Sequence, residues 1–246
     1  MDRLVFLGMT GAKHTQMAQT NNANNLANMS TAGFRGDFQS LIAETISGPG
    51  METRANVVSA GTQTDFSPGA VMSTGRDLDV AIRGEGWFAV QAADGSEAYS
   101  RRGDFSLTSD GMLINGAGLA VLGDGGPVAI PEHQSLSIGD DGTVSIVPLG
   151  QGPESQVIVD RIRLVNADPA QLQKGDDGLL RLKDGGQAET SADVRISSGN
   201  LESSNVNSVD AMVNMIALAR QFEMQVKVMN TAEKLDEAGG RLMRIE

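Results

Sequence analysis

The chain has 246 residues, a formal net charge of −12, 30 glycines, 4% aromatic residues and no cysteine. That length allows one large domain or two to three small ones, and the lack of cysteine excludes disulfides and thiolate metal sites. The charge argues against a nucleic-acid partner: residues 37–205 carry −13 between ends of +2 and −1, with no basic stripe to offset it.

Residues 2–29 read as a helix, with Val5, Met9, Ala12, Gln16, Gln19, Ala23 and Leu26 recurring in alternating steps of four and three. The middle of that stripe is polar, which does not suit a buried seam within a monomer. The only unbroken apolar run near the start is Leu4 to Leu7, soon followed by Lys13 and by no small-residue cleavage site, so no Sec-type signal peptide is expected. No run approaches the ~20 apolar residues needed to span a bilayer.

The end of this helix is loaded with amides: Asn21, Asn22, Asn24, Asn25 and Asn28. Asparagine is a mediocre helix former because its amide competes for backbone hydrogen bonds. Asn24 and Asn25 lie four and three residues before Asn28, so the three share a face. A buried amide left unpaired costs about 1–3 kcal/mol, so where this face is buried its amides are expected to find specific partners and fix a register. The competing reading is a frayed, solvated helix end. "STAGF" then breaks the helix, with Gly33 as the turn residue.

Residues 36–75 read as an extended connector with weak periodicity and two turn signals, "SGPG" and "SPG". From 76 to 205 short apolar or alternating runs follow one another, among them "LDVAI", "WFAVQA", "TVSIV", "VIVDRIRLV" and "DVRIS". Asp-Gly punctuates them at Asp94, Asp110, Asp124, Asp141, Asp177 and Asp184. Asp-Gly suits positive-φ hairpin turns, so this is an antiparallel all-β domain, with Trp87 as a core anchor.

Residues 206–246 return to helix, opening on the cap-type residues Asn207 and Ser208 and the first-turn acid Asp210. One stripe runs Ala211, Met215, Leu218, Phe222, Gln225, Met229, Ala232; a second runs Met224, Val228, Thr231, Leu235, Ala238, Leu242, Ile245. A weak point is expected at Gly239–Gly240. Two stripes on different faces are more than one packing partner needs. The terminal helices can pair, and the pair still shows apolar surface, which marks an interaction site. The fold class is therefore α+β: terminal helices (1–35 and 206–246) forming a coiled-coil-like domain, a connector (36–75) and a central antiparallel β domain (76–205).

No catalytic or cofactor chemistry is legible. His14 and His133 have no metal-ligand spacing around them. "GEGWFA" (84–89) matches a dinucleotide-type glycine pattern, but the following residues continue a strand and do not open a helix. Asp140–Asp141 and Asp176–Asp177 precede glycine and read as hairpin turns, against a hydrolase carboxylate pair or a calcium loop.

"NNLANMSTAGFR" (Asn24 to Arg35) resembles the signature that closes the N-terminal helix of the flagellar rod and hook family. Residues 74–123 are similar to the family's β-domain block, and "SGNLESSNVNSVDAMVNMIALARQFEMQVKVM" (198–229) to its C-terminal helix. "RRGDFSL", "KGDDGLLRL" and "ARQFEMQVKVM" look nearest to proximal rod members, with distal rod members as runner-up. Just before the signature, Asn21 and Asn22 stand where relatives are often apolar. The resemblance implies a non-enzymatic structural subunit of the basal-body rod, with terminal helices in a coiled inner tube and β domains outside it. It implies export through the flagellar type III apparatus without cleavage and a periplasmic location. The implied partners are other rod proteins and further copies of the chain, with no cofactor, metal, nucleic acid or membrane insertion. On this reading the subunit interface is expected at Val5, Met9, Asn24, Asn25, Leu26, Asn28, Phe34, Met215, Leu218, Phe222, Met229, Leu235, Leu242 and Ile245. The rival of a different class is a secreted β-rich binding module on a helical oligomerisation stalk.

Overall fold

The structure is a computed structural model that describes residues 2–45, 55–152 and 154–243. Two terminal helices, α1 (Asp2–Ala27) and α2 (Ser208–Met243), flank a mostly antiparallel β-rich middle. The chain divides into two compact units, one from Met1–Met29, Gly36–Asp65 and Val206–Glu246, the other from Ser30–Arg35 and Phe66–Asn205.

In the first unit α1 packs antiparallel on α2. Gly8 lies against the Met229 side chain, Gly11 against Gln225, and the Asn22 amide donates to the Ala211 carbonyl at 2.7 Å. The inward face of α1 is small and polar: Gly8, Ala12 and Thr15 are buried, with Gln19, Asn22 and Leu26 half-buried. Helices approach most closely where side chains are smallest. A Cβ on Gly8 would fall 2.8 Å from Met229 Cγ. The seam shares Ala12, Gln19 and Leu26 with the expected α1 stripe, but Val5 and Met9 of that stripe are exposed at 39% and 55%. On α2 the expected first stripe is the inward one, with Ala211 and Ala232 buried and Met215, Leu218, Phe222, Gln225 and Met229 half-buried. Asn207 caps α2, its Oδ1 accepting from Val209 N–H at 2.9 Å. At roughly 1.5 Å per residue α2 is about 54 Å long. It runs through Gly239–Gly240 without a break, since a mid-helix glycine costs only about 1 kcal/mol.

The span expected as a connector is paired. Asp37–Thr45 and Ala55–Thr64 form a two-stranded antiparallel ladder with a bulge between Ser40 and Leu41, and Val71–Ser73 pairs with Asn200–Glu202. Its periodicity is weak because the two-stranded ladder leaves Phe38, Leu41, Ile42, Val57 and Val58 exposed, so burial imposes no alternation. The "SGPG" signal (47–50) lies outside the described residues.

The second unit is built on a five-stranded antiparallel sheet ordered Leu164–Val165, Trp87–Gln91, Glu97–Ser100, Leu180–Leu182, Leu172–Lys174. A three-stranded sheet follows the order His133–Ile138, Thr143–Pro148, Val157–Arg161. The single run "VIVDRIRLV" is thereby divided between two sheets. Val80–Arg83 pairs with Arg195–Ser198, drawing the far end of the unit back to its beginning. Phe88 and Phe105 meet edge to face at 5.2 Å in a core with Val80, Leu113, Val121, Val144, Ile162 and Ile196. Trp87, 4% exposed, anchors a second cluster with Tyr99, Val165 and Leu180.

The acidic turns are local devices. Asp94, Asp141, Asp177 and Asp184 each accept, through Oδ1, the backbone N–H two residues on. The Thr143 hydroxyl and backbone N–H hold Asp141 below the usual carboxylate range, and Arg181 does the same for Asp177.

Candidate assembly surface and its anchor

The asparagine stretch closes the helical unit on itself. Asn25 donates through Nδ2 to the Asp37 carbonyl at 2.7 Å and accepts the Asp37 N–H at Oδ1 at 2.9 Å. Thr64 Oγ1 donates to the Asp37 carboxylate at 2.7 Å, so the first residue of the ladder is held from both sides. Asn22 reaches the opening turn of α2, and Asn28 Nδ2 donates to the Asn24 carbonyl at 3.0 Å as the helix ends. Asn25, expected to bond to a neighbouring subunit, therefore uses its amide within the chain. Asn24 is exposed, Asn28 and Leu26 half-buried.

Among the charged residues that stud this unit's surface, apolar side chains also stand exposed. Val5, Phe6, Met9 and Met17 are exposed on α1, and Met224, Val228 and Leu235 on α2. A further stripe at helical spacing, Val209, Met212, Val213 and Ile216, is between 51% and 65% exposed. Sequence reading passed over it, although its i, i+3, i+4, i+7 spacing is explicit. Leu242 lies in the last turn of α2, and Ile245 lies outside the described residues. No described helix is long and apolar enough to cross a membrane.

In the second unit, residues 30–35 are fastened by buried charge. Glu202, its side chain 2% exposed, sits between two guanidinium groups, with Arg35 Nη2 at 2.5 Å from Oε1 and Arg101 Nη1 at 3.1 Å from Oε2. The Gly69 N–H donates to Oε1 at 2.9 Å, and Arg101 Nη2 donates to the Gly84 carbonyl at 2.5 Å. Both guanidinium groups stack on Trp87, at 5.2 Å for Arg101 and 5.9 Å for Arg35, while Phe66 meets the ring edge-on. Burial pushes the Arg101 guanidinium down from its usual range, and Glu202 works against that.

The backbone adds further ties. The Gly33 N–H donates to the Glu202 carbonyl at 2.8 Å, and the Asn205 N–H to the Phe34 carbonyl at 3.3 Å. Lys174 donates to the Arg35 carbonyl at 2.7 Å with its ammonium 4.3 Å from the Phe34 ring centre. Gly33, the expected turn residue, has φ +65°, and a Cβ there would fall 2.3 Å from the Arg101 carbonyl carbon. Only glycine fits both demands. Phe34, expected at a subunit interface, is half-buried within its own unit. Arg35, Arg101 and Glu202 were not legible as a set, because 167 residues separate the first from the last.

Among the described residues no group of acidic and histidine side chains is placed to hold a metal ion. His14 faces Gln39 at 3.3 Å, and His133 lies 2.9 Å from the Pro131 carbonyl.

Comparison with known proteins is consistent with these features. Residues 81–146 match the flagellar hook protein FlgE/F/G D1 domain, and residues 197–242 the flagellar basal body rod FlgEFG protein C-terminal family. Over 249 aligned residues the chain is 40% identical to the flagellar basal-body rod protein FlgF of Salmonella typhimurium, covering 99% of each. It is 41% identical to FlgF of Escherichia coli, covering 97% of this chain and 96% of the relative. Against the flagellar basal-body rod protein FlgG of Bacillus subtilis the identity is 35%, covering 96% and 97%.

Proposed function

Because the chain belongs to the flagellar basal-body rod protein family and is of the FlgF type, we propose that it is a proximal rod subunit that polymerises through its terminal helices into part of a hollow drive shaft. The observation that carries this reading is the helical unit's uncovered apolar surface. After α1 and α2 have packed, Val209, Met212, Val213, Ile216, Met224 and Leu235 still face outward. Burying such surface against neighbours is worth roughly 25 cal/mol per Å², and coiled-coil-like packing between subunits uses stripes of this spacing. The partners are further copies and other rod proteins, whose contacts are head-to-tail because a rod does not close on itself.

On this reading the interface also includes, of the residues expected there from the sequence, Val5, Met9, Leu235 and Asn24, which stand exposed. Met215, Leu218, Phe222, Met229 and Leu26 serve the intramolecular seam first. The chain passes the flagellar type III apparatus uncleaved and is assembled in the periplasm, with no catalytic role. The test is to purify detergent-resistant basal structures and identify the chain in them by mass spectrometry, including its N-terminal peptide. Recovery beginning at or next to Met1 supports an uncleaved rod component. Recovery only as a soluble species, or cleaved after α1, removes the reading and favours a secreted β-rich binding module.

A further inference from the structure

An Asp-Gly turn is chemically fragile as well as geometrically useful. The glycine nitrogen can attack the side-chain carboxyl of the preceding residue, and glycine, lacking Cβ, hinders that attack least. The chain has six Asp-Gly pairs and one Asn-Gly pair, Asn115–Gly116. In five Asp-Gly pairs the glycine N–H already donates to the carbonyl three residues back, Gly95 to Ala92, Gly111 to Thr108, Gly142 to Gly139, Gly178 to Gly175 and Gly185 to Leu182. Four of those five carboxylates also accept the N–H two residues on. The fifth, Asp110, precedes a glycine pressed against the Ile130 carbonyl, where an added Cβ would fall 2.4 Å from the oxygen. Asn115 is 1% exposed. Its Oδ1 accepts the Ala117 and Leu119 N–H groups at 3.0 Å, and the Gly116 N–H donates to the Asp104 carboxylate at 3.3 Å.

Asp124–Gly125 differs on every count. It links Leu122–Gly123 to Gly126–Pro127, an antiparallel pairing of two residues on each side. Both turn residues are exposed, and among the described residues neither the Asp124 carboxylate nor the Gly125 N–H has a hydrogen-bond partner. A Cβ on Gly125 would meet nothing within 4 Å, so no neighbour packs on the turn there. Gly123, Gly125 and Gly126 surround Asp124 with glycine, so the backbone is free to swing toward the angle that ring closure needs.

We propose that Asp124 is a site of spontaneous isomerisation to isoaspartate in the folded chain, while the fold protects the other Asp-Gly pairs and Asn115. The Gly125 nitrogen attacks Asp124 Cγ; a C–N bond forms, the carboxyl C–O bond breaks, and water leaves with the amide proton. Water then adds to the succinimide. Cleavage at the side-chain carbonyl restores aspartate, and cleavage at the main-chain carbonyl gives isoaspartate, so mass is unchanged and no oxidant or reductant takes part. The product carries an extra methylene in its main chain and a free α-carboxylate. The turn joins Val121 and Val128, both fully buried and hydrogen-bonded across the hairpin, and the Asp124 N–H donates to the Arg161 carbonyl. A lengthened turn strains these ties and loosens this corner of the β unit. The inference stands on the folded β unit and does not rest on the rod reading.

The test ages the purified full-length chain in neutral buffer, with and without urea. Isoaspartate is quantified with an isoaspartate-specific carboxyl methyltransferase and labelled S-adenosylmethionine, and located by peptide mapping. In the folded chain Asp124 is expected to carry roughly tenfold more isoaspartate than any other position, because the others must first open one or two hydrogen bonds. In urea that preference should vanish: the six Asp-Gly pairs should react alike, and Asn115 fastest, since its amide closes to the same ring with ammonia leaving. Gly125→Ala, at an exposed glycine without positive φ and with room for a methyl, should suppress the folded-state product and leave the fold intact. Asp124→Asn should speed it. Labelling of the folded chain led by Asn115 or Asp110, or spread evenly over the Asp-Gly pairs, would overturn the proposal. So would an unlabelled Asp124 in the folded chain when the urea-treated chain is labelled, or a Gly125→Ala chain that isomerises as fast as the parent.

Discussion

Asn25 and Asp37 exchange two hydrogen bonds, side chain to backbone in both directions, across the turn that follows α1. The pair fixes where the first ladder strand starts relative to the helix end. Asn25→Leu leaves both backbone groups of Asp37 without that partner, and should cost the helical unit about 1–3 kcal/mol. Asn24→Leu, at an exposed site, should change stability by less than about 0.5 kcal/mol. Thermal unfolding followed by helix signal distinguishes the two. Equal, small losses would mean that the Asn25 latch contributes nothing to the fold.

Glu202 is the only carboxylate among the described residues within bonding reach of Arg35 and Arg101. Glu202→Gln removes the counter-charge from two buried guanidinium groups, which should cost about 3–5 kcal/mol. The chain's single tryptophan, Trp87, lies under both guanidinium groups, so its fluorescence reports directly on this site. Urea unfolding read by that signal should show a much lower midpoint for the variant. Replacing all three charged residues by apolar side chains of similar volume should recover most of the loss. Failure of the triple variant to recover would assign the triad a role beyond mutual neutralisation.

How much of this was legible in the sequence depended on the range of the interaction. The Asn-rich helix end, Gly33 and the Asp-Gly turns are local, and their residue types announce the geometry. The α2 seam was also legible, because Ala211 to Ala232 keep one spacing. On α1 the seam keeps Ala12, Gln19 and Leu26 of the stripe read from the sequence but runs through Gly8 in place of Val5 and Met9, and glycine carries no hydrophobic signal. The ladder of Asp37–Thr45 with Ala55–Thr64 was missed because its apolar residues are not sorted by burial. The Arg35–Glu202–Arg101 cluster was invisible because only the folded chain brings these residues together. Nothing in a lone arginine after Gly-Phe indicates a carboxylate 167 residues away.

Tyr99 is the chain's single tyrosine, buried in the second cluster. Burial pushes its phenol above the ordinary range; the Ala188 N–H donated to its oxygen opposes this, and Glu97 adds to it. The folded pKa is therefore raised above the unfolded value of about 10. The fold binds the proton more tightly than the unfolded chain, so this contribution is fully present below about pH 10 and is lost as pH rises through the folded pKa. Tyrosinate absorbance should appear above pH 10, together with loss of β structure, and shift back to about 10 in denaturant. Titration at the ordinary value with the fold intact would show that the phenol is not held as the structure places it.

The outward stripes of α2 separate folding from assembly. Ile216 and Leu235 are 57% and 54% exposed, so Ile216→Lys and Leu235→Lys remove no buried contact and introduce a good helix former. The unfolding free energy of the isolated chain should change by less than about 0.5 kcal/mol. Ala232 is 1% exposed in the seam, and Ala232→Lys should instead destabilise the helical unit by several kcal/mol through an unpaired buried charge. If the outward stripes are covered by neighbouring subunits, the two exposed variants should be exported yet absent from basal structures, and their cells should not swim. Swimming cells carrying Ile216→Lys together with Leu235→Lys would mean that this face of α2 meets only water in the assembled state. Contacts between subunits would then fall to α1 and the ladder, where Phe6, Met9, Met17, Phe38, Leu41 and Ile42 are exposed apolar residues of comparable size.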